Sequence, residues 1–160
     1  MKGNINMPNL TVNFNKILKL TNVINTDLLL DMSDNAAIVI EKMENYIKTK
    51  GFQPIGPHIQ YNRLSENSNK EMEIVIKLMR QCTGFIHHIE KPYKMESILR
   101  VPNCLYIRYS GPMEKIKFAY DKLTLTAFEE DIPLKGDCYS IFLEETDGQV
   151  TVDIFMERAD

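Results

Sequence analysis

The sequence contains no tryptophan, only three cysteines, and no apolar run that approaches the length of a membrane-spanning helix. Cys82, Cys104 and Cys138 are odd in number and widely spaced, which excludes a disulfide framework and a CxxC metal site. We expect three reduced, packed thiols. A helix that crosses a bilayer needs at least about 18 apolar residues, and the first ten residues lack the apolar core of a secretory signal. We therefore expect a cytoplasmic protein with no membrane contact.

An excess of positive charge is also missing, since 19 basic and 22 acidic residues leave a net charge of −3. Nucleic-acid surfaces usually carry a basic stripe, so we expect no direct nucleic-acid partner. The P-loop, GxGxxG and GxSxG motifs do not occur. The adjacent pair His87 and His88 would point to opposite faces of a strand, which disfavours a shared metal. We assign no catalytic residue, no metal and no cofactor, and favour a non-enzymatic protein.

A weak internal repeat organises the chain. Residues 34–77 resemble residues 114–157 at an offset of 80, and Gly56 then pairs with Gly136. A stripe with helical spacing also repeats, with Ala36, Ile40, Met43 and Ile47 matching Ile116, Tyr120, Leu123 and Ala127. The repeat predicts one domain over 1–160, with a first half over about 10–79, a connector over 80–102 and a second half over about 103–158.

Each half is predicted to contain a strand, a helix and two more strands. In the first half we expect a strand over 12–30 with a bulge or break near Asn22, a helix from a Ser33 or Asp34 cap to Gly51, a turn over 54–57, and strands over 58–64 and 71–79. In the second half we expect a strand over 103–109, a helix opened by 110–112 and ending near Glu129, and strands over 138–143 and 150–156 joined by an Asp147-Gly148 turn.

These elements predict an α+β fold, a duplicated β-α-β-β unit with pseudo-two-fold symmetry. The six strands would form one antiparallel sheet with two helices on one face and the other face free. Because side chains alternate along a strand, the aliphatic residues of the last strand of each half should meet the helices. These residues are Met72, Ile74, Ile76 and Leu78 in the first half and Val150, Val152, Ile154 and Met156 in the second.

Asp153 and its repeat partner Glu73 then lie on the free face, with Phe155 two residues beyond Asp153. Exposed phenylalanine is unfavourable, at about 25 cal/mol per Å² of apolar area, so we expect a ligand, a partner or the connector to cover Phe155. A carboxylate beside aromatic rings favours a cationic, apolar ligand. The predicted ligand-binding residues are Asp153, Glu73, Phe155, Tyr106, Tyr139 and Tyr61.

Four segments of this chain resemble the GyrI-like small-molecule-binding domains, which also serve as effector-binding domains of multidrug-responsive bacterial transcription regulators. The segments are 51–61, 71–76, 106–112 and 152–156. The resemblance implies the duplicated fold above and a cleft along the pseudo-dyad, lined by aromatic residues. It also implies a glutamate on the final strand that recognises cationic compounds, at the position where this chain has the shorter Asp153.

The leading hypothesis is a stand-alone module that binds a small organic ligand between the two halves, since residues 1–33 are too short for a helix-turn-helix and the first strand. The first alternative is a protein-interaction adaptor or chaperone-like accessory protein, for example of a bacterial secretion or toxin locus. It would use the same free face, with Phe155, Val75 and Met79. The second alternative is a small hydrolase with Asp153 as its base. Nothing in the sequence requires a dimer.

Overall fold

The computed structural model describes residues 10–29 and 35–160. Their elements are β1 (Asn13–Leu28), α1 (Ala36–Thr49), β2 (Pro54–Glu66), β3 (Met72–Cys82), β4 (Lys94–Pro112), α2 (Lys117–Glu129), β5 (Leu134–Thr146) and β6 (Gln149–Arg158). A short 3-10 helix, Met113–Lys115, leads into α2. The order strand, helix, strand, strand therefore occurs twice, while the duplication of the sequence stays a prediction. Neither described helix combines the length and the apolar character needed to cross a membrane.

The six strands form an antiparallel sheet that closes into a barrel in the order β1, β3, β2, β5, β6, β4. The antiparallel pairing is confirmed, but the predicted open sheet with a free face is wrong. The end of β1 pairs with β3, from Val23 opposite Gln81 to Leu28 opposite Ile76, and β1 also pairs with β4 along most of its length. In the closed barrel, apolar residues of both halves, such as Leu20, Ile59 and Phe155, pack together in the interior, which removes them from water.

The buried side chains form three clusters. One lies between α2 and the outside of β4, β5 and β6, and contains Leu123, Ile107 and Ile154. A second lies under α1 and contains Met43 and Ile47. The third fills the interior of the barrel, and no helical residue belongs to it. Its buried members are Leu18, Leu20, Val23, Ile59, Tyr61, Met79, Val101, Cys104, Tyr139 and Phe155.

The predicted end of α1 is confirmed. Gly51 adopts a φ of +87°, and the Phe52 N–H donates to the Ile47 carbonyl at 3.2 Å, which closes a Schellman-type end. Lys50 is the C-cap residue of α1. The predicted caps Ser33 and Asp34 lie outside the described residues.

Several predicted boundaries move because strands continue through positions that look like turns. The predicted turn over 54–57 is wrong, since β2 begins at Pro54 and accommodates Gly56, at φ +69°, in a register shift between Ile55 and Ile59. A bulge of this kind bends a strand without ending it. Asn22 likewise takes a φ of +49° inside an unbroken β1.

The second half shows one confirmed turn and two moved boundaries. Asp147 and Gly148 both have positive φ, +51° and +79°, which is the type I′ hairpin that the sequence predicts. β4 begins at Lys94 rather than at Asn103, and Pro112 is its last residue rather than the first turn of a helix. α2 ends at Glu129, as predicted.

The predicted contact between the last strand of each half and a helix is confirmed for β6 and only partly correct for β3. In β6 the four aliphatic residues from Val150 to Met156 are buried against α2. In β3, Leu78 is buried and Ile76 packs against the α1 cluster, whereas Met72 and Ile74 are each more than half exposed. The prediction is therefore wrong for Met72 and Ile74, because α1 does not cover the start of β3.

Candidate functional site

Four of the predicted ligand-binding residues are consecutive neighbours across four strands. Tyr61 lies opposite Tyr139, Tyr139 opposite Phe155, and Phe155 opposite Tyr106. The ring centroids of Tyr61 and Tyr139 are 4.9 Å apart, as are those of Tyr106 and Phe155. These separations are typical of attractive aromatic pairs. We call these four residues the ring row.

The ring row is covered by the barrel itself. Phe155 is 8% exposed and packs in the same cluster as Leu18 and Leu20 on β1 and Val101 on β4. The prediction of a ligand or a partner over Phe155 is therefore corrected, whereas the predicted connector over 80–102 does contribute Val101 to its cover. Tyr106 is only partly buried, so the row is sealed in the middle and accessible at its Tyr106 end.

Asp153 lies beside this accessible end, and both of its oxygens accept hydrogen bonds. Its Oδ1 accepts from the Tyr106 hydroxyl and from Arg108 Nε, both at 2.7 Å, and its Oδ2 accepts from Arg108 Nη2 at 3.0 Å. The Asp153 side chain is 13% exposed, whereas that of Arg108 is 56% exposed. We call Tyr106, Arg108 and Asp153 the Asp153 cluster. Arg108 thus shields a mostly buried carboxylate from solvent.

The protonation states of this cluster follow from its contacts. The hydrogen bonds and charge of Asp153 raise the pKa of Arg108 above its ordinary value. Burial, and then the hydrogen bond to Asp153, raise the pKa of Tyr106. At neutral pH the guanidinium is therefore charged and the tyrosine hydroxyl keeps its proton, so both groups act as donors to the carboxylate.

The structure does not bring Glu73 to the Asp153 cluster. Glu73 is exposed and lies opposite Ser65 near the β2–β3 hairpin. It lines a separate cavity of about 500 Å³ together with Leu28, Leu29 and Ile76. Equivalent positions in the repeat therefore have different surroundings in the barrel.

A second cluster of the same residue types joins the predicted Tyr61 to two residues that were not predicted, Arg63 and Asp137. The Tyr61 hydroxyl donates to Asp137 Oδ2 at 3.0 Å, and Arg63 Nε lies 3.6 Å from Asp137 Oδ1. The Asp137 side chain is 13% exposed, and about half of Arg63 is exposed. We call Tyr61, Arg63 and Asp137 the Asp137 cluster.

The missed residues have a shared signal in the sequence. Both Tyr61 and Tyr106 are followed two residues later by an arginine, Arg63 and Arg108. Residues at this spacing on a strand share a face. Each Tyr-x-Arg pair therefore presents a hydroxyl group and a guanidinium group, both hydrogen-bond donors, to a carboxylate on the neighbouring strand. The carboxylates themselves, Asp137 and Asp153, carry no such pattern.

The three cysteines are free and buried, as predicted. Burial raises the pKa of Cys104 to about 11 and that of Cys138 to about 12. Both thiols are therefore protonated at neutral pH, which makes them poor nucleophiles.

Replacing Asp153 with alanine is expected to lower the free energy of unfolding by about 1–3 kcal/mol, because the Tyr106 hydroxyl loses its buried acceptor. The half-exposed Arg108 regains water, which limits the loss. Urea titration of wild type and Asp153→Ala measures the change. Glu73→Ala is the matched control, and a surface carboxylate of this kind should shift the value by no more than about 0.5 kcal/mol. Equal losses in both variants would contradict a special role for the Asp153 cluster.

His58 makes stability depend on pH. Its ring stacks on Phe142 at 4.8 Å, and burial lowers its pKa, although Glu145 at 3.8 Å opposes the effect. Between the lowered folded pKa and the ordinary value of about 6.5, the unfolded chain binds more protons, so stability falls as pH falls through this window. We expect the melting temperature to drop less between pH 7 and pH 5 in His58→Gln than in wild type. His88→Gln, at an exposed position, should keep the wild-type pH dependence.

No family model and no curated protein matches the sequence. Solved structures do share the fold. EcmrR, in a cryo-EM complex with DNA, aligns with a TM-score of 0.65 and 10% identity over 93% of this chain and 57% of that chain, so this chain spans little more than half of its length. Two hydrolase structures from Listeria innocua, one encoded by lin2189, align with TM-scores of 0.53 at 9% and 12% identity, over 94% of this chain and 91% of each of theirs. At these identities the likeness shows the fold alone.

Proposed function

We propose that this chain binds a small, apolar organic cation at the margin of the barrel, where Tyr106 and Asp153 meet. The observation that carries the proposal is a mostly buried carboxylate beside the accessible end of a row of aromatic rings. The face of an aromatic ring attracts cations, and a desolvated carboxylate supplies the counter-charge. The shared fold with a DNA-complexed EcmrR is compatible with an effector-binding role.

Two of the protein's own cations already occupy the positions that a ligand would take. Lys16 Nζ lies 5.5 Å from the centroid of the Tyr106 ring, and the Arg108 guanidinium lies on Asp153. Both side chains are exposed over much of their surface. A ligand cation therefore has to displace Lys16 and Arg108, and it must compete with the two hydrogen bonds that Arg108 donates to Asp153.

The geometry also limits the size of the ligand. The middle of the ring row is packed in the barrel interior, so the ligand would lie over the outer end of the row rather than inside the barrel. Tyr61 and Tyr139 lie further along the ring row, on the far side of Phe155 from this position, whereas Glu73 lies away from the row. A compact cation with one aromatic ring fits this site better than a large one.

A matched pair of probes tests the proposal. Benzyltrimethylammonium and neopentylbenzene have nearly the same shape and differ in charge. In calorimetric titrations, wild type should bind the cation at least about tenfold more tightly than the neutral probe, which corresponds to about 1.4 kcal/mol. Asp153→Asn should remove this preference, and Arg108→Gln, which removes the competing guanidinium, should strengthen cation binding. Glu73→Gln should change neither value. Equal binding of the two probes, or an unchanged preference in Asp153→Asn, would exclude the proposed role of Asp153.

A second candidate function is binding of a protein partner, on a different surface from the predicted one. Phe155 and Met79 are buried in the barrel, so the predicted free face is closed to a partner. On the outside, Leu64 lies opposite Ile74, and both are more than half exposed next to the equally exposed Met72. An exposed aliphatic group of this kind is typical of interaction surfaces. Sedimentation of wild type and Ile74→Lys tests self-association, and a dimer that Ile74→Lys dissociates would favour this function.

The hydrolase alternative has no comparable support. The hydroxyl group that donates to Asp153 is that of Tyr106. Because the pKa of Tyr106 is raised, this hydroxyl is a weak nucleophile at neutral pH. The oxygens of Asp153 already accept three hydrogen bonds from the protein, which leaves the carboxylate poorly placed to take a proton from water.

A further inference from the structure

We infer that the Asp137 cluster is a second cation position, and that it takes an ammonium group carrying N–H donors. The two clusters contain the same three residue types, and both carboxylates are 13% exposed. They differ in how well the carboxylate is satisfied. Among the described residues, Asp137 Oδ1 is buried and has no hydrogen-bond donor.

The missing donor is not Arg63. Arg63 Nε lies 3.6 Å from Asp137 Oδ1, which is too far for a hydrogen bond. Tyr61 satisfies only the other oxygen, Oδ2, at 3.0 Å. A buried acceptor without a donor is unfavourable, so a ligand that supplies an N–H to Oδ1 gains a contact that the unliganded protein lacks.

The local backbone explains why Asp137 points at Tyr61. Gly136 adopts a φ of +98°, and the pairing of β5 with β6 shifts register between Leu134 and Cys138. Bulges of this kind re-aim the side chains that follow them. Asp137 thereby lies directly opposite Arg63 on β2, on the same side of the strand as Tyr139.

Chemistry then separates the two positions. At Asp153 both oxygens are occupied, so a cation there replaces Arg108 and needs only charge and an apolar surface. At Asp137 the free oxygen needs a donated proton, which a quaternary ammonium does not have. The Tyr61 and Tyr139 rings next to Asp137 are themselves buried, so the carbon skeleton of a primary or secondary amine would lie at the rim, over the position of the half-exposed Arg63.

This inference does not depend on the role proposed for Asp153, and the test separates the two. Benzylammonium and benzyltrimethylammonium are titrated into Asp153→Asn, alone and combined with Asp137→Asn. We expect benzylammonium to bind Asp153→Asn, and the added Asp137→Asn to weaken that binding about tenfold, as loss of a charge-assisted hydrogen bond predicts. The quaternary probe should change by less than about twofold.

Two further variants test the charge dependence of this binding and provide its control. Arg63→Gln should tighten benzylammonium binding by about two- to fivefold, because it removes a neighbouring like charge at a half-exposed position. Asp147→Asn, in the exposed hairpin turn, is the control and should bind like its parent. Circular dichroism confirms that each variant is folded. Failure of benzylammonium to bind Asp153→Asn, or equal effects of Asp137→Asn on both probes, would overturn the inference.

Discussion

Replacing Phe155 with alanine is expected to lower the free energy of unfolding by about 3–5 kcal/mol, the usual cost of removing a buried phenylalanine side chain. Phe155 is 8% exposed in the barrel interior, where it contacts Tyr106 and packs in a cluster with side chains from β1 and β4. Its removal leaves a cavity that the surrounding strands fill only in part. Guanidinium titration followed by circular dichroism measures the loss.

Phe128 provides the control for this variant. It is 79% exposed on α2, so Phe128→Ala should change the free energy of unfolding by no more than about 0.5 kcal/mol. The comparison distinguishes the closed barrel from an open sheet. On an open sheet Phe155 would face solvent, and both substitutions would have similarly small effects. That result would restore the predicted cleft between the two halves.

The prediction of an open sheet shows what a strand pattern leaves undetermined. Alternation along the last strand correctly separates Ile154, which meets α2, from Asp153 and Phe155 on the other face. It does not say what covers that other face. Coverage depends on which strands pair over long distances, and here β1 pairs with both β3 and β4. No local pattern encodes those two partners.

The site shows the same division between local and long-range information. Of the predicted wall residues Tyr61, Tyr106, Tyr139 and Phe155, only Phe155 follows from the alternation of its strand, and the register of the barrel brings all four into one row. The partners of the carboxylates were not predicted. The contact of Arg108 with Asp153 depends on the β4–β6 register. Asp137 lies just before the predicted strand over 138–143, at a bulge that lengthens that strand.

The repeat misled in one respect, since it made Glu73 equivalent to Asp153. Positions 80 residues apart fall on corresponding strands of the two halves but have different surroundings. Ile154 is buried beneath α2, whereas its repeat partner Ile74 is more than half exposed. In the same way the offset of 80 pairs Tyr61 with Ile141 and Asp137 with Pro57, so the repeat does not relate the Asp137 cluster to a second cluster of the same kind. The two halves of the barrel share an order of elements and differ in their chemistry.

Leucine-to-alanine substitutions on α2 should separate its two faces. Leu123 is fully buried against β4 and β6, and Leu125 is more than half exposed. Leu123→Ala is expected to lower the free energy of unfolding by about 2–5 kcal/mol, from lost burial and the cavity left behind. Leu125→Ala should change it by no more than about 0.5 kcal/mol.

The pair is informative because the two substitutions are chemically identical and lie in the same helix. Any gain in helix propensity from alanine is nearly the same at both positions, so the difference between the variants reports packing alone. Thermal and urea unfolding of both variants should agree on that difference. Equal losses would mean that α2 is not held against the barrel by Leu123, and the outer cluster that it forms with Ile107 and Ile154 would then not stabilise the second half of the fold.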